Sequence, residues 1–255
     1  MKKLIFILLC FCLMTFGSSA RIIEVAPAGA WGVLGISGGG AVAAGGGGQN
    51  FYDGFAYSDG DLETVSSSVW VKGESGNGSY TVASSVITTN EQNVYLYQTS
   101  TDTLNQWIIW KAVDTSNFAG AYLRSDGNMA NTAYTLRNND GTALAWRYCT
   151  GSDCTDFSQN SNDMSDNDYA GVRISGTGTG TVVYACDFGA TRPNSCATAS
   201  DCNPDNVDWA TYGTCYTWLD DPLTHEAING YKIGMYTGSD TAGSFDDFYG
   251  GDWTP

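Results

Sequence analysis

Basic side chains and histidine are scarce in this sequence, which has 11 lysines and arginines against 27 acidic residues. Binding to nucleic-acid phosphates depends on clustered lysine and arginine that displace counterions, and a negative field also repels anionic lipid. We therefore expect no nucleic-acid partner. A single histidine and the lack of any Cys-x-x-Cys pair also argue against a structural zinc site.

Long apolar runs are missing after the first residues of the chain. Two lysines precede an apolar run over residues 4–14, and small residues follow up to Ala20. This order is typical of a cleaved signal peptide, so we predict residues 1–20 as a leader and a secreted or cell-surface location for the mature chain. The run is shorter than the roughly 20 residues that a membrane-spanning helix needs, so we expect no membrane insertion after cleavage.

The predicted leader contains two of the eight cysteines, and six remain in the mature chain. An even number in an exported protein predicts disulfide bonds between all of them. The six are Cys149, Cys154, Cys186, Cys196, Cys202 and Cys215. Short spacings favour joining the first with the second and the fourth with the fifth, which leaves the third for the last, although other pairings stay open.

Residues 21–50 are rich in glycine and alanine. Such a composition is typical of a flexible linker, and the alternative is a segment for self-assembly in which glycine permits close approach of backbones. The sequence leaves both open. The composition changes at Phe51, and we predict one domain over residues 51–255, since a single all-β domain of this size is common.

From residue 51 onward, short runs rich in β-branched and aromatic residues alternate with clusters of glycine, asparagine, aspartate and serine. This pattern predicts strands and turns, and no long helical periodicity occurs. The predicted fold class is all-β, an antiparallel β-sandwich of two sheets with long loops over 150–168 and 187–218, the second held by disulfides. The predicted strands are 67–72, 80–87, 93–98, 106–113, 119–124, 131–137, 142–149, 170–175, 181–187, 231–237 and 244–249.

One β-hairpin is marked by alternation on both sides of Asp140-Gly141, a dipeptide that supplies the positive dihedral angles of a tight turn. The side chains predicted to share its buried face are Tyr134, Leu136, Leu144, Trp146 and Tyr148. Arg137 and Arg147 alternate with these residues, so we predict that they point to the opposite face, where the sheet meets solvent or ligand.

The segment FYDGFAYSDGDL at 51–62 is followed by Trp70, and the chain closes with KIGMYTG at 232–238 and SFDDF at 244–248. An aromatic and acidic start leading to a tryptophan, and a final strand with paired acids between aromatics, resemble concanavalin A-like (laminin G-like) jelly rolls. The glycine-rich and threonine-rich run at 171–184 is also similar. The resemblance implies that the first and last strands of the fold lie side by side.

The resemblance implies a non-catalytic carbohydrate-binding or adhesive module, which is the function we favour. The alternatives are a structural protein of an extracellular fibre or surface layer, and a divergent glycoside hydrolase or polysaccharide lyase. Glucanases of this family carry a Glu-x-Asp-x-x-Glu strand that supplies two carboxylates for hydrolysis, and this chain lacks that motif. We therefore assign no catalytic residue.

Aspartate provides most of the acidic residues, and calcium prefers such oxygen ligands. The resemblance implies that an early pair of aspartates meets a late pair on adjacent strands, which predicts a structural calcium site. These residues are Asp59, Asp61, Asp246 and Asp247. A second acidic group is Asp163, Asp166 and Asp168, in the predicted loop 150–168.

A glycan site is predicted from aromatic side chains, whose faces pack on sugar rings. In the strand 93–98, Tyr95 and Tyr97 alternate with apolar residues, so both are expected on the outer face of a sheet. Together with Arg137 and Arg147 they form the predicted glycan-binding set. The alternative is that the two tyrosines fill a layer of the sandwich.

Overall fold

A computed structural model gives the fold of the protein. The residues that the structure describes are 41–42, 49–72, 79–89, 93–114, 119–125, 132–138, 144–150, 153–159, 164–177, 180–219, 230–237 and 243–255. The predicted leader and most of the glycine-rich segment 21–50, including its proposed role in self-assembly, fall outside these residues. No helix among the described residues has the length and apolar character needed to cross a membrane.

The described residues are mostly β-strand, and the helices among them are short. The strands in chain order are β1 (Ala41–Val42), β2 (Asn50–Asp53), β3 (Gly60–Asp61), β4 (Trp70–Lys72), β5 (Thr81–Ala83), β6 (Val86–Thr89), β7 (Asn93–Tyr97), β8 (Gln106–Asp114), β9 (Ala119–Ser125), β10 (Thr132–Asn138), β11 (Leu144–Thr150), β12 (Asp153–Gln159), β13 (Asp168–Ser175), β14 (Val182–Gly189), β15 (Thr214–Leu219), β16 (Lys232–Thr237) and β17 (Gly243–Asp252). The helices are α1 (Leu62–Val65) and α2 (Ala199–Cys202), with 3-10 turns at Pro193–Ser195 and Trp209–Thr211.

The strands form two antiparallel sheets. The ten-stranded sheet has the order β15-β14-β13-β8-β17-β6-β5-β3, and β2 also pairs with β17 and carries β1 on its other side. The seven-stranded sheet has the order β12-β11-β10-β9-β16-β7-β4. Side chains of both sheets share one buried core, for example Trp110 and Phe248 from the first with Trp146 and Met235 from the second. The predicted two-sheet antiparallel β-sandwich is confirmed.

Strand β8 is apolar along most of its length because both of its faces are buried. Ile108 and Trp110 belong to the core between the sheets. Trp107 and Ile109 alternate with them and belong to a second buried cluster, on the outer face of the ten-stranded sheet. A face of the sandwich that would otherwise meet solvent is therefore covered.

Strand β2, near the start of the domain, pairs with the last strand, β17, as the resemblance implied. In the register of β2 and β17, Phe51 lies opposite Gly250 and Tyr52 opposite Tyr249. Phe51 is buried in the shared core. Strand β17 also pairs with β8 along its other edge and with β6 at its beginning.

The carboxylate of Asp252 joins three segments at one end of the sandwich. Its Oδ1 accepts hydrogen bonds from the backbone N and the Oγ1 of Thr103, at 2.8 and 2.9 Å. Its Oδ2 accepts from the backbone N of Gln49 at 2.9 Å and of Asp102 at 2.8 Å. The residue before β2, the loop before β8 and the end of β17 are thus held by one side chain.

Several strand predictions are confirmed and others need correction. Strands β10 and β11 form the predicted hairpin, with Tyr134 opposite Tyr148 and Leu136 opposite Trp146. The strand predicted at 80–87 is instead the hairpin β5–β6. Ser84 and Ser85 both adopt positive φ angles and form its tight turn. Such turns are predicted from glycine and asparagine, so two serines did not indicate one.

The two predicted loops contain strands as well. Strand β12 lies within 150–168 and strand β15 within 187–218, each at an edge of its sheet. Edge strands tolerate polar residues, so β12 (DCTDFSQ) lacks the apolar alternation by which buried strands are predicted.

A carboxylate is buried between the sheets. The Asp53 side chain is 1% exposed and accepts hydrogen bonds from the backbone N of Phe55 at 2.7 Å, the hydroxyl of Tyr57 at 2.5 Å and the indole N of Trp70 at 2.7 Å. Burial raises the pKa of Asp53 above its ordinary value, and the three hydrogen bonds offset this rise only in part. The folded protein therefore binds the proton of the Asp53 carboxyl group more tightly than the unfolded chain does.

The Asp53→Asn variant tests this network. An amide cannot accept all three bonds, so we expect a loss of about 1–3 kcal/mol in the free energy of unfolding. Since the folded pKa is raised, the stability contributed by Asp53 is present below the unfolded pKa of about 4 and is lost as the pH rises through the folded pKa. The cost of the substitution, measured by urea unfolding, should therefore fall as the pH rises above the unfolded pKa of about 4. A cost that stays constant or grows would contradict this account.

Candidate functional site

The chain between β14 and β15, residues 190–213, leaves the ten-stranded sheet and folds back over its outer face. We call it the disulfide loop. A disulfide between Cys186 and Cys215 joins the two strands at its base, where the Cα atoms are 4.1 Å apart. A second disulfide, between Cys196 and Cys202, closes a short ring within the loop. Both predicted pairings are confirmed.

The third predicted pair is consistent with the backbone. Cys149 and Cys154 lie directly opposite each other in the register of β11 and β12. Their side chains are outside the described part of the chain, so this disulfide stays a prediction.

The disulfide loop packs on the sheet through aromatic side chains. Trp209 is fully buried, stands edge-on to Phe188 and Trp107, and donates its indole N–H to the carbonyl of Cys202 at 3.0 Å. Gly171 on β13 makes this contact possible, since a Cβ there would lie 2.6 Å from Phe188 and 3.0 Å from Trp209. The loop is therefore seated on the sheet and has a defined position.

An irregularity in β17 places a carboxylate beside this loop. The register of β17 against β8 shifts between Asp246 and Phe248, and Asp247 between them has a φ of 49°. Bulges of this kind redirect a side chain, and a positive φ in a residue other than glycine is a strain that occurs often at functional sites. Asp247 is partly exposed.

Tyrosine hydroxyls hold the Asp247 carboxylate. Tyr52 on β2 donates to Oδ1 at 3.3 Å, and Tyr169 on β13 donates to Oδ2 at 2.6 Å. The ring of Tyr52 packs on that of Tyr249, with centroids 4.6 Å apart. Burial raises the pKa of all three tyrosines, and the negative charge of Asp247 raises it further. The hydroxyls therefore stay protonated at neutral pH.

The disulfide loop adds a guanidinium to the same place. Arg192 donates a hydrogen bond to the hydroxyl of Tyr249, and its Cζ lies 5.6 Å from the ring centroid of Tyr249 and 5.9 Å from that of Tyr169. Both distances are in the range of cation–π contact. We call this group the bulge site; its members are Tyr52, Tyr169, Arg192, Asp247 and Tyr249.

An ion pair flanks the bulge site. Lys111 of β8 lies 3.2 Å from Asp246, and the other oxygen of Asp246 accepts a hydrogen bond from the backbone N of Asp247 at 2.9 Å. Both side chains of the pair are about one quarter exposed, so its contribution to stability is small. It fixes the backbone that presents Asp247.

The aspartates predicted to bind calcium do not come together. Asp59 accepts from the backbone N of Ser84, and Asp61 caps helix α1 through the backbone N of Thr64. Strand β3 is separated from β17 by β5 and β6, so the predicted adjacency to Asp246 and Asp247 is wrong. The strand beside β17 is β2. Across the described ranges, no three acidic, cysteine or histidine side chains converge as a metal site would require.

The predicted glycan set is corrected at one position. Tyr97 is 4% exposed and packs in the core against Phe51, Trp70 and Phe248, so its predicted orientation is wrong. Alternation separates the two faces of a strand without saying which is buried, and here the tyrosine fills volume between the sheets. The side chains of the other three members, Tyr95, Arg137 and Arg147, lie outside those that the structure describes.

The outer face of the seven-stranded sheet, where that set was expected, is not open at its middle. Tyr122 of β9 and Tyr236 of β16 stack there with centroids 6.2 Å apart, and they are only 1% and 2% exposed. Among the described residues, partly exposed groups of aromatic and charged side chains lie on the other sheet.

Of the bulge site, the sequence singled out only Asp247, through the paired acids of the last strand. The positions of Tyr52 and Tyr249 were detectable from alternation with the buried Phe51 and Phe248. Arg192 carries no local signal, because its position depends on how the disulfide loop folds back over the sheet.

Comparison with known proteins finds similarity at the level of solved structures. No family model matches the chain, and no curated protein is significantly similar to it. The carbohydrate-binding module CBM66 from Bacillus subtilis is 9% identical, with a TM-score of 0.46, over 70% of this chain and 92% of that one. A lichenase derived from a mouse hindgut metagenome is 11% identical, with a TM-score of 0.45, over 80% and 98%.

A protein of unknown function with a galectin-like fold, also from Bacillus subtilis, is 11% identical over 76% of this chain and 97% of that one, with a TM-score of 0.45. The sequence resemblance named the concanavalin A-like fold, which includes glucanases, and did not name the galectin-like fold. The TM-scores are below 0.5, so the two-sheet architecture rests on the strand pairing described above.

Substitution of Gly171 tests whether the disulfide loop is seated on β13. Gly171→Ala places a methyl group against two buried aromatic rings, and we expect a loss of about 1–3 kcal/mol in urea unfolding. Gly180→Ala is the matched control, because a Cβ at Gly180 has no heavy atom within 4 Å. Equal stability of the two variants would show that the loop does not pack there.

Proposed function

We propose that the protein is a secreted or cell-surface, non-catalytic carbohydrate-binding module, and that the bulge site is where it binds glycan. One observation carries the proposal: a partly exposed carboxylate, presented by a strained bulge, stands beside a guanidinium that lies over tyrosine rings. The site combines in one place the three kinds of group that bind sugars.

Each kind of group has a defined role in sugar binding. A carboxylate accepts hydrogen bonds from sugar hydroxyls, a guanidinium donates to them, and bonds to charged partners are stronger than neutral ones. An aromatic ring packs on the apolar face of a pyranose. Tyr52 suits this last role, since one face of its ring packs on Tyr249 while the side chain remains partly exposed.

The arrangement of acids favours binding over hydrolysis. Glycoside hydrolases place two carboxylates on either side of the scissile bond, about 5 Å apart or more. At the bulge site the second acid, Asp246, is next to Asp247 in sequence, forms an ion pair with Lys111 and bonds the backbone of Asp247. We therefore assign Asp246 to support of the site.

Binding of glycans by Tyr52 variants tests the proposal. Tyr52→Ala removes the ring and the hydroxyl, and we expect at least a tenfold loss of affinity; Tyr52→Phe keeps the ring and should lose less. Affinity is measured by titration calorimetry with ligands first identified on a glycan array. Tyr231→Ala, an exposed tyrosine on the other sheet, is the matched control.

Two results would count against this function. Unchanged affinity of Tyr52→Ala would place binding elsewhere on the molecule, provided that the variant melts near the wild-type temperature. Release of reducing ends or unsaturated sugars from a bound glycan would show catalysis instead of binding alone.

A structural calcium ion stays a proposal, without the four aspartates that the sequence suggested for it. An ion that binds only the folded state raises the melting temperature by mass action. We expect millimolar calcium to raise the melting temperature and a chelator to reverse the rise, with magnesium as the control. A melting temperature that calcium leaves unchanged would show that the protein has no structural calcium ion.

A further inference from the structure

The bulge site holds two opposite charges that do not neutralise each other. Asp247 and Arg192 are both in the described part of the chain, and no ion pair joins them. The carboxylate is bonded by the hydroxyls of Tyr52 and Tyr169, and the guanidinium by that of Tyr249. An acceptor and a donor are therefore presented side by side, each with bonding capacity left over.

Tyr169 sets the spacing between the two charges. Its hydroxyl donates to Asp247, while its ring lies 5.9 Å from the guanidinium carbon of Arg192. Because no ion pair joins the two charged groups, they lie more than 4 Å apart, and the side chain of Tyr169 contacts both. A ligand that joins them needs one group that donates a hydrogen bond and, close to it, one that accepts.

Two adjacent hydroxyls of a sugar ring meet this need. One donates to the carboxylate, and its neighbour accepts from the guanidinium, since a hydroxyl is both a donor and an acceptor. Arginine presents its donors in a rigid plane, which suits such paired recognition better than a lysine does.

The surrounding charge disfavours an acidic ligand. A carboxylate on the sugar gains attraction from Arg192 but meets repulsion from the neighbouring Asp247, while Asp246 is offset by its ion pair with Lys111. Desolvation of the sugar carboxylate adds to the cost. The whole chain has a formal charge of −16 and repels polyanions at longer range. A neutral ligand avoids all three penalties.

We infer that the bulge site recognises a vicinal diol of a neutral pyranose, with Asp247 accepting from one hydroxyl and Arg192 donating to the next. This inference rests on the proposed function, because it names the ligand class of the same site. Arg192 and Asp247 then determine specificity, Tyr169 and Tyr249 position them, and Tyr52 packs on the sugar ring.

Linkage chemistry provides the test. Inside a 1,4-linked hexopyranose chain the hydroxyls at C2 and C3 are adjacent, whereas a 1,3-linked chain has no adjacent pair. We expect the protein to bind at least one long neutral 1,4-linked polymer among glucan, mannan and galactan, and not the 1,3-linked glucan or galactan. Periodate cleaves the bond between adjacent hydroxyl-bearing carbons, so oxidation followed by borohydride reduction should abolish binding. The same polymer treated with borohydride alone is the control.

Two variants test the roles of Arg192 and Asp247 in binding. Arg192→Gln and Asp247→Asn should each lower affinity for the intact polymer about tenfold or more, and the double variant should lose less than the product, because both residues hold one diol. Asparagine tolerates the positive φ of Asp247, so this change preserves the bulge. Lys72→Gln, which removes a positive charge from the other sheet, should bind as the wild type does.

The outcomes separate this inference from the proposed function. Equal binding to 1,3-linked polymers, or binding that survives periodate, overturns diol recognition while glycan binding stands. Preference for a 1,4-linked polyuronate, with affinity that falls steeply as salt is raised, overturns the neutral class. Failure to bind any glycan overturns both.

Discussion

The ten-stranded sheet is covered on both faces, and the rest of the structure depends on that constraint. Its inner face packs against the seven-stranded sheet, and its outer face receives the disulfide loop. Residues 190–213 have little apolar content beyond a few anchors such as Trp209, so the two disulfides compensate for a small core. Because the loop is fixed on the sheet, Arg192 reaches the tyrosines that surround Asp247.

Much of the fold was predictable because local signals agreed with the tertiary structure. The alternation around the predicted turn at 139–141 indicated the hairpin of β10 and β11 and the inward direction of Trp146. The cysteine spacings gave the two disulfides of the loop. Two elements were missed because their residues are unusual for the structure that they adopt. Strand β12 is polar although it is a strand, and the turn at Ser84-Ser85 takes positive φ angles without glycine or asparagine.

The candidate site was less predictable, because its members come from four separate parts of the chain. Alternation in 93–98 identified two faces, but it assigned Tyr97 to the wrong one, since aromatic side chains serve equally in cores and on surfaces. The sequence placed the paired acids at 246–247 beside the wrong strand. Which strand lies beside β17 is a question of sheet order, and a single sequence does not contain that order.

Strand β17 is the joint between two halves of the ten-stranded sheet. On one side stand β8, β13, β14 and β15, and on the other β2, β6, β5 and β3, with no direct pairing between the halves in the described part of the chain. The residues of this joint follow all the other described strands in the sequence. Strands β8 and β6 therefore keep unpaired edges until β17 is made, and the pairing of β17 with them is a long-range assembly step.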